Sequence, residues 1–505
     1  MESVSAMPSA MPDEDKEDAR AARRAVRLGL GLKLGYASGA LVDGVISNVV
    51  NTFLLFYVTT VCGMSAALAG AAAAVGLVVD AISDPVIGSM SDNTHSRWGR
   101  RLPFMVVAMP LLLVSFVMIF SLPDWTNQMA LFALLSALSI AVRVSLSIFN
   151  MPYLAVGAEL SDDYAERSRI MTWRWGLGMI GALIAVGLGF AVFFKGPGGL
   201  AQRHAYTPFA LTLAVIVLAG AVCAMRTVLL TRGRQHLPPA IRSSLAQRLL
   251  PELLELFRNR SFRILFTSAL LFFIAQGVTL SLGLHANTFF WRLASDQVQL
   301  ITLAFPVGLI IGAPLSGPIV SRMEKRTAVL IGLCGLILMQ AGPASLRLSG
   351  LLPLQGQTLA LFLASATAIG GALMSMAAIA FTSMMADAAD EHEHLFGSRR
   401  EGLYFAGWAF AGKAATSIGT FLAGMVLQAI AFPVDQTKQN GLNIQLPEGT
   451  VDALGFFYGP GAALLSVLGV LILFRYRLDR STHTAMMTEL HQRRAVAFRS
   501  AATRP

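Results

Sequence analysis

The amino-acid sequence predicts an all-α membrane protein of twelve transmembrane helices arranged as two pseudo-symmetric six-helix bundles. Three observations predict it: the apolar content, the number of spans that content divides into, and the alternation of basic loops. Of 505 residues, 55% are hydrophobic and 13% charged, and the mean hydropathy is +0.62. An ordinary soluble domain carries about 25% charged residues. A membrane-crossing helix needs about 20 mostly apolar residues. Twelve such stretches occur, at about 30–60, 64–92, 102–122, 127–159, 168–194, 205–230, 262–291, 297–321, 326–347, 356–386, 401–431 and 453–476. The longer ones imply tilt or extension past the bilayer.

The net charge of +10 would suit a nucleic-acid partner by magnitude, but its placement points elsewhere. Basic residues fall in alternate loops: Arg97, Arg100 and Arg101; Arg167 and Arg169; Arg232, Arg234 and Arg242; Arg322, Lys325 and Arg326; Arg399 and Arg400. Both tails are also basic, through Lys16, Arg23, Arg24 and Arg27 and through Arg475, Arg477 and Arg480. This is the positive-inside pattern, which puts both termini in the cytoplasm and requires an even number of spans. The expected partners are therefore a lipid bilayer and a small solute, with no nucleic acid.

Residues 1–27 are polar and lack an apolar h-region, so they read as a tail and not as a signal peptide. Cys62, Cys223 and Cys334 stand alone, with neither disulfide nor metal spacing. Residues 231–261 hold Pro238, Pro239, Pro251, several arginines and an amphipathic stretch over 243–257, as a linker with an interfacial helix would. The expected division is a tail 1–29, a bundle 30–230, the linker 231–261, a second bundle 262–478 and a tail 479–505. A weak repeat supports it. Gly88 precedes Ser91-Asp92 and the basic run Arg97 to Arg101, while Gly317 precedes Ser321-Arg322 and Lys325-Arg326.

Ionisable groups inside spans are costly and each needs a reason. Asp80 and Asp84 in the second span are four residues apart, which sets both carboxylates on one helix face. Like charges so close disfavour joint ionisation, and a monovalent cation or a shared proton would relieve them. The structural alternative is an acid paired with an arginine. In the fourth span Arg143 and Asn150 share a face, about 10 Å apart along the axis. Arg143 either binds solute or neutralises Asp43 or Asp80. The first span carries Gly35, Gly39, Asp43, Ser47 and Asn51 at four-residue spacing, for helix packing at one end and a wet face at the other. Lys413 in the eleventh span lies about 20 Å from the loop before it, too deep to snorkel. Arg174 in the fifth span is shallower, either an interfacial anchor or a cavity residue. Gln276, Thr279 and Gly283 share a face of the seventh span, for cavity lining or for packing. Glu391-His392-Glu393-His394 reads as a solvated loop. No P-loop and no hydrolase or zinc-peptidase motif occurs, so neither an ATP-driven pump nor a membrane enzyme is expected, and no cofactor.

Three motifs carry a family resemblance: Asp80-Ala81-Ile82-Ser83-Asp84-Pro85 with Ser96-Arg97-Trp98-Gly99-Arg100-Arg101-Leu102-Pro103; Asn150-Met151-Pro152-Tyr153 with Glu159 to Asp163 and Arg167; and Arg399 to Phe405 with Lys413. The chain, from about residue 30 to about 478, resembles the glycoside–pentoside–hexuronide:cation symporters, the melibiose-permease-like branch of the major facilitator superfamily. The resemblance implies the major facilitator fold and cation-coupled symport (Na+ or H+) of a sugar, glycoside or hexuronide. It implies a cation site at Asp80, Asp84 and the Asn150 position. It also implies solute-cavity roles for Asp43, Arg174 and Lys413, to which Arg143 is added here. The residue before Met-Pro is acidic in melibiose permease and is Asn150 here. That removes one negative charge from the implied site and favours proton coupling or none. Arg143, with Arg174 and Lys413, would make the cavity more positive and suit an anionic solute; on that reading Arg143→Gln changes selectivity. Arg97, Arg100, Arg101, Arg322, Lys325 and Arg326 read either as cytoplasmic gates or as simple positive-inside anchors. The expected setting is a monomer in a bacterial cytoplasmic membrane. The alternatives are a carrier of a lysophospholipid-like amphipath and a non-transporting sensor of the same fold.

Overall fold

The computed structural model describes residues 28–94, 96–161, 163–196, 198–231, 254–397, 401–442 and 444–502. The expectations for residues 1–27, most of the linker, Arg399 and Arg400 lie outside these described residues. The helices in chain order are α1 Leu30–Val61, α2 Ala66–Asn93, α3 Leu102–Ile119, α4 Gln128–Glu159, α5 Tyr164–Leu188 and α6 Arg203–Leu230. The second half follows with α7 Arg260–His285, α8 Ser295–Arg322, α9 Lys325–Leu348, α10 Gly356–Phe396, α11 Glu401–Ala429 and α12 Glu448–Leu473. A last helix, α13 Arg480–Ala502, covers the tail. Among the described residues, 11 helices are long and apolar enough to cross a membrane. The remaining one of the expected twelve, α2, is 28 residues long; its first part, Ala66–Gly76, is apolar, and Asp80 and Asp84 follow.

The two halves repeat one another locally. The last turn of α1 and the continuation of α7 are both π-helical, at Tyr57–Val61 and Ala286–Phe290. Such turns widen a helix and are common at functional positions. The polar stripe of α1 is divided as its composition requires. A Cβ on Gly35 or Gly39 would collide with Thr227 or Tyr153, so these glycines let α4 and α6 approach closely. Asp43, Ser47 and Asn51 instead line a cavity.

One expectation is corrected, and one pair of alternatives is decided. Helix α10 runs 41 residues, past the apolar limit near residue 386, because no Gly or Pro interrupts it from Ala372 to Phe396. It ends where Gly397 turns left-handed at φ 76° and donates its N–H to the Glu393 carbonyl. The segment 391–394 is therefore helix and not loop, and His392 is fully buried beside Phe396 and Tyr404. In α7, Gln276 exchanges side-chain hydrogen bonds with Gln340 at 3.0 Å, and Thr279 donates to the Tyr458 carbonyl at 3.4 Å. Both pack within the second half.

Named contacts join the halves at the end away from the basic hairpins. Helices α2 and α11 cross at Gly70 and Gly424, where a Cβ on Gly424 would lie 2.5 Å from the Ala66 carbonyl and 2.8 Å from Gly70 Cα. His285 Nε2 meets Thr59 Oγ1 at 2.9 Å, Ser65 Oγ donates to Gln428 Oε1 at 3.1 Å, and Ser295 Oγ donates to the Gly196 carbonyl at 3.2 Å. Asp124, between α3 and α4, receives Lys438 at 2.7 Å from the segment between α11 and α12, and Arg203 at 2.9 Å.

This closed end can be probed in two ways. The atoms facing Gly424 are backbone and cannot step aside, so Gly424→Val costs about 1–3 kcal/mol of overpacking in this state alone. That favours any state open at this end by roughly 5- to 150-fold; spin-label distances across the α2–α11 crossing should lengthen. Hydrogen bonds from Lys438 and then Arg203 hold the Asp124 carboxyl below its ordinary value of 3.8. A lowered value means the bridge is intact above pH 3.8 and lost only as pH falls below it. The same distances should therefore be flat across neutral and mildly acid pH. Raising salt should lengthen them slightly, because Asp124 is 66% exposed and such pairs contribute about 0–1 kcal/mol.

Candidate functional site

Between the halves lies a cavity of about 310 Å³, walled by α1, α2, α4 and α11. A second, of about 240 Å³, adjoins it along α1 and α5; Asp43, Ser47 and Asn150 line both. Close approach of α1 to α5 shapes the second, since a Cβ on Gly44 would meet the Gly178 carbonyl. Each helix contributes its polar groups one turn apart, so that they emerge on one face: Asp80 and Asp84, Arg143 and Ser147, Lys413 and Ser417.

The charges form one cluster. Asp80 is 7% exposed. Its Oδ1 accepts from Ser147 Oγ at 3.1 Å. Its Oδ2 faces two cations, Lys413 Nζ at 3.6 Å and Arg143 Nη1 at 3.7 Å. Lys413 Nζ donates to Asp84 Oδ2 at 2.6 Å, while the buried Asp84 Oδ1 accepts no hydrogen bond among the described residues. Arg143 Nη2 donates to Ser417 Oγ at 3.3 Å. Two carboxylates from the first half and one ammonium from the second are thus held together, with Arg143 completing the balance.

The expected residues are mostly brought together. Asp80, Asp84, Arg143 and Lys413 meet directly, and Asn150 lines the same wall. Asp43 accepts from Ser47 Oγ at 2.7 Å. Arg174 lines the second cavity with Trp175, and its buried Nε donates no hydrogen bond among the described residues. Of the alternatives for Arg143, the geometry selects pairing with Asp80. Its terminal nitrogens go to Asp80 and Ser417, so it does not add the free positive charge that an anion would seek. Ser147 and Ser417 are site residues that the sequence reading leaves out; the signal for them is the four-residue spacing from Arg143 and from Lys413.

The basic hairpins pair within their own halves. Glu159 at the end of α4 receives Arg100 at 2.6 Å and Arg101 at 2.7 Å, and both arginines are buried. In the second half Lys325 holds Asp387 of α10 at 2.7 Å, and Arg326 Nη2 donates to the Phe474 carbonyl at 2.8 Å. Arg322 is exposed, as is Arg97, which stacks over Trp98.

Two six-helix bundles closing on a charged central cavity define a multi-pass membrane transporter of the major facilitator fold. The chain belongs to the MFS/sugar transport protein family, whose family model matches residues 35–480. It is 26% identical over 463 residues to an isoprimeverose transporter of Lactiplantibacillus pentosus, covering 88% of each chain. To a glucuronide carrier protein homolog of Escherichia coli it is 26% identical over 399 residues, covering 76% of this chain and 80% of that one. An uncharacterized symporter of Synechocystis sp. is also 26% identical, over 526 residues, covering 87% of this chain and 93% of its own. These relatives fit the symporter branch that the motifs indicate. Among solved structures, a D-xylose-proton symporter matches the fold with a TM-score of 0.62 at 15% identity, over 89% of this chain and 98% of that one.

The cluster makes a cooperative prediction. Asp84→Asn leaves Lys413 only its longer contact with Asp80, and Lys413→Gln strands Asp84 while Asp80 keeps Arg143, so each alone should lower thermal stability in detergent by about 1–3 kcal/mol. That is less than for a fully buried pair, because Lys413 is 49% exposed. The double substitution should recover much of the loss, read as a coupling term in a double-mutant cycle. Additive losses would mean that the 2.6 Å pair contributes nothing.

Proposed function

We propose that the protein is a cation-coupled symporter of a sugar, glycoside or hexuronide that works by alternating access of its two halves. The observation that carries this reading is the ion cluster on the cavity wall. Lys413 of the second half reaches the carboxylates of the first at 2.6 Å and 3.6 Å. Anything that competes for Asp80 or Asp84 must loosen the tie between halves. A cation bound there and a solute bound in the cavity then favour the same conformations, and that shared preference is all that coupling requires. Relatives named for isoprimeverose and glucuronide favour a carbohydrate over an amphipathic lipid.

The positive-inside pattern places the hairpin end and both termini in the cytoplasm. In that orientation the contacts at Gly70, His285 and Asp124 close the outer side, and this is an inward-facing state. The setting is a bacterial cytoplasmic membrane and the unit a monomer. Arg100, Arg101 and Lys325 fix the inner ends of their helices through Glu159 and Asp387, so that each hairpin moves with its half; Arg97 and Arg322 remain exposed for the outward-facing state.

The reading is tested by a solute screen on purified protein in liposomes, under imposed sodium and proton gradients. The screen starts from pentosides, glycosides and glucuronides. One solute should accumulate under a cation gradient, and Asp80→Asn should lower accumulation by at least about tenfold while solute exchange survives. Flux that ignores both gradients, with the variant equal to wild type, would leave a uniporter instead.

A further inference from the structure

We infer that Arg143 is the residue that decides cation specificity: its guanidinium is a tethered cation standing where a coupling sodium would sit, so the protein does not bind sodium. The inference rests on the symport reading of this cavity and concerns which ion that site accepts.

Space is the first constraint. Gly76 lies one turn before Asp80 on the same face of α2. A Cβ at Gly76 would fall 2.6 Å from both Cδ and Nε of Arg143. The arginine stem therefore crosses α2 over this glycine, and a Cβ there would force the stem to shift. Once across, the guanidinium reaches Asp80 Oδ2 at 3.7 Å and is anchored by Ser417 at 3.3 Å. Its position comes from two helices of one half and one of the other.

Charge and ligand chemistry add to it. Sodium is a hard cation and needs several oxygens converging on one point, carboxylates foremost. Here Asp80 Oδ2 is shared between Arg143 and Lys413, Asp84 Oδ2 is taken by Lys413, and Asp80 Oδ1 accepts from Ser147; of the four oxygens Asp84 Oδ1 alone accepts no hydrogen bond among the described residues, and one oxygen does not make a sodium site. The next polar residue on α4 toward the hairpins is the neutral Asn150, not an acid. Two carboxylates already face two fixed positive charges, so a third would meet repulsion with no unshared carboxylate pair to offset it. A buried ion pair of this kind also resists exchange, because expelling the guanidinium leaves it desolvated and unpaired.

Sodium binding is measured directly, without any solute, by isothermal titration of purified protein at constant ionic strength with choline as the replaced ion. Wild type should give no saturable sodium heat. Arg143→Gln, which is two bonds shorter and loses the charge, should bind sodium at least about tenfold more tightly. Arg143→Gln/Asn150→Asp should bind it more tightly still, while Arg143→Lys, which keeps the charge, should stay silent. Should Arg143→Gln fail to fold, as judged by its melting curve, Gly76→Ala decides in its place. It displaces the guanidinium from Asp80 without removing it, and should also confer sodium binding. Saturable sodium binding by wild type overturns the inference, and so does a folded Arg143→Gln or Gly76→Ala that remains silent. An empty solute screen would count against the symport reading alone, since the titration needs no transport.

Discussion

Two carboxylates one turn apart on a membrane helix cannot both stay charged in a low-dielectric wall without cations beside them. At an effective dielectric of about 20, a unit pair at about 4 Å is worth about 4 kcal/mol. Asp80 and Asp84 therefore require partners, and the fold supplies them from two directions. Arg143 arrives from α4 in the same half, and Lys413 from α11 in the other. Much else answers to that need. Gly76 is bare so that Arg143 can cross α2. Ser147 and Ser417 hold the remaining polar atoms. Helices α2 and α11 must also run side by side, which they do through Gly70 and Gly424.

The same pairing makes the cluster a joint between the halves. Within a bundle, an ion pair fixes helices that move together, as Arg100 and Arg101 do with Glu159 and Lys325 with Asp387. Across bundles, a pair is made and broken as the halves rock. The Lys413–Asp84 contact joins the two bundles, and Lys413 lines the cavity wall. The closed end is held by glycine backbones in contact, one buried histidine, serine hydroxyls donating to Gln428 and to the Gly196 carbonyl, and the exposed Asp124–Lys438 pair. Contacts of that sort are short-ranged and separate cleanly, as a reversible gate requires.

The cavity is charge-balanced. Asp43, Asp80, Arg143, Arg174 and Lys413 line the two cavities, and Asp84, which is not among the lining residues, brings the set to three of each sign through its pair with Lys413. A sugar with many hydroxyls and no net charge suits such a wall, and a uronide would have to draw on Arg174, whose Nε donates to no described partner. Asp43 and Arg174 share the second cavity, which adjoins the cavity of the ion cluster, and Asn150 lines both.

The sequence by itself determined the order of the apolar helices and the helix on which each charge sits. Apolar run length, loop charge and helical spacing are local quantities that the bilayer reads directly. Asp80, Asp84 and Lys413 are legible on those grounds alone, whereas Arg143 stays open between solute and aspartate. What lies beyond a local reading is pairing between helices far apart in the chain: 329 residues separate Lys413 from Asp84, and 274 separate Arg143 from Ser417. Local spacing says which face a side chain occupies and not which helix that face meets. The same limit turns Gln276 toward Gln340 and hides His285 as an interface residue. The extension of α10 through His392 is illegible for another reason: polar residues with no glycine or proline among them continue a helix as readily as they form a loop, and burial against Tyr404 decides the matter. Tertiary structure alone chose the partners, because only the packed bundles set which faces share the low-dielectric interior where an unpaired charge is too costly to leave.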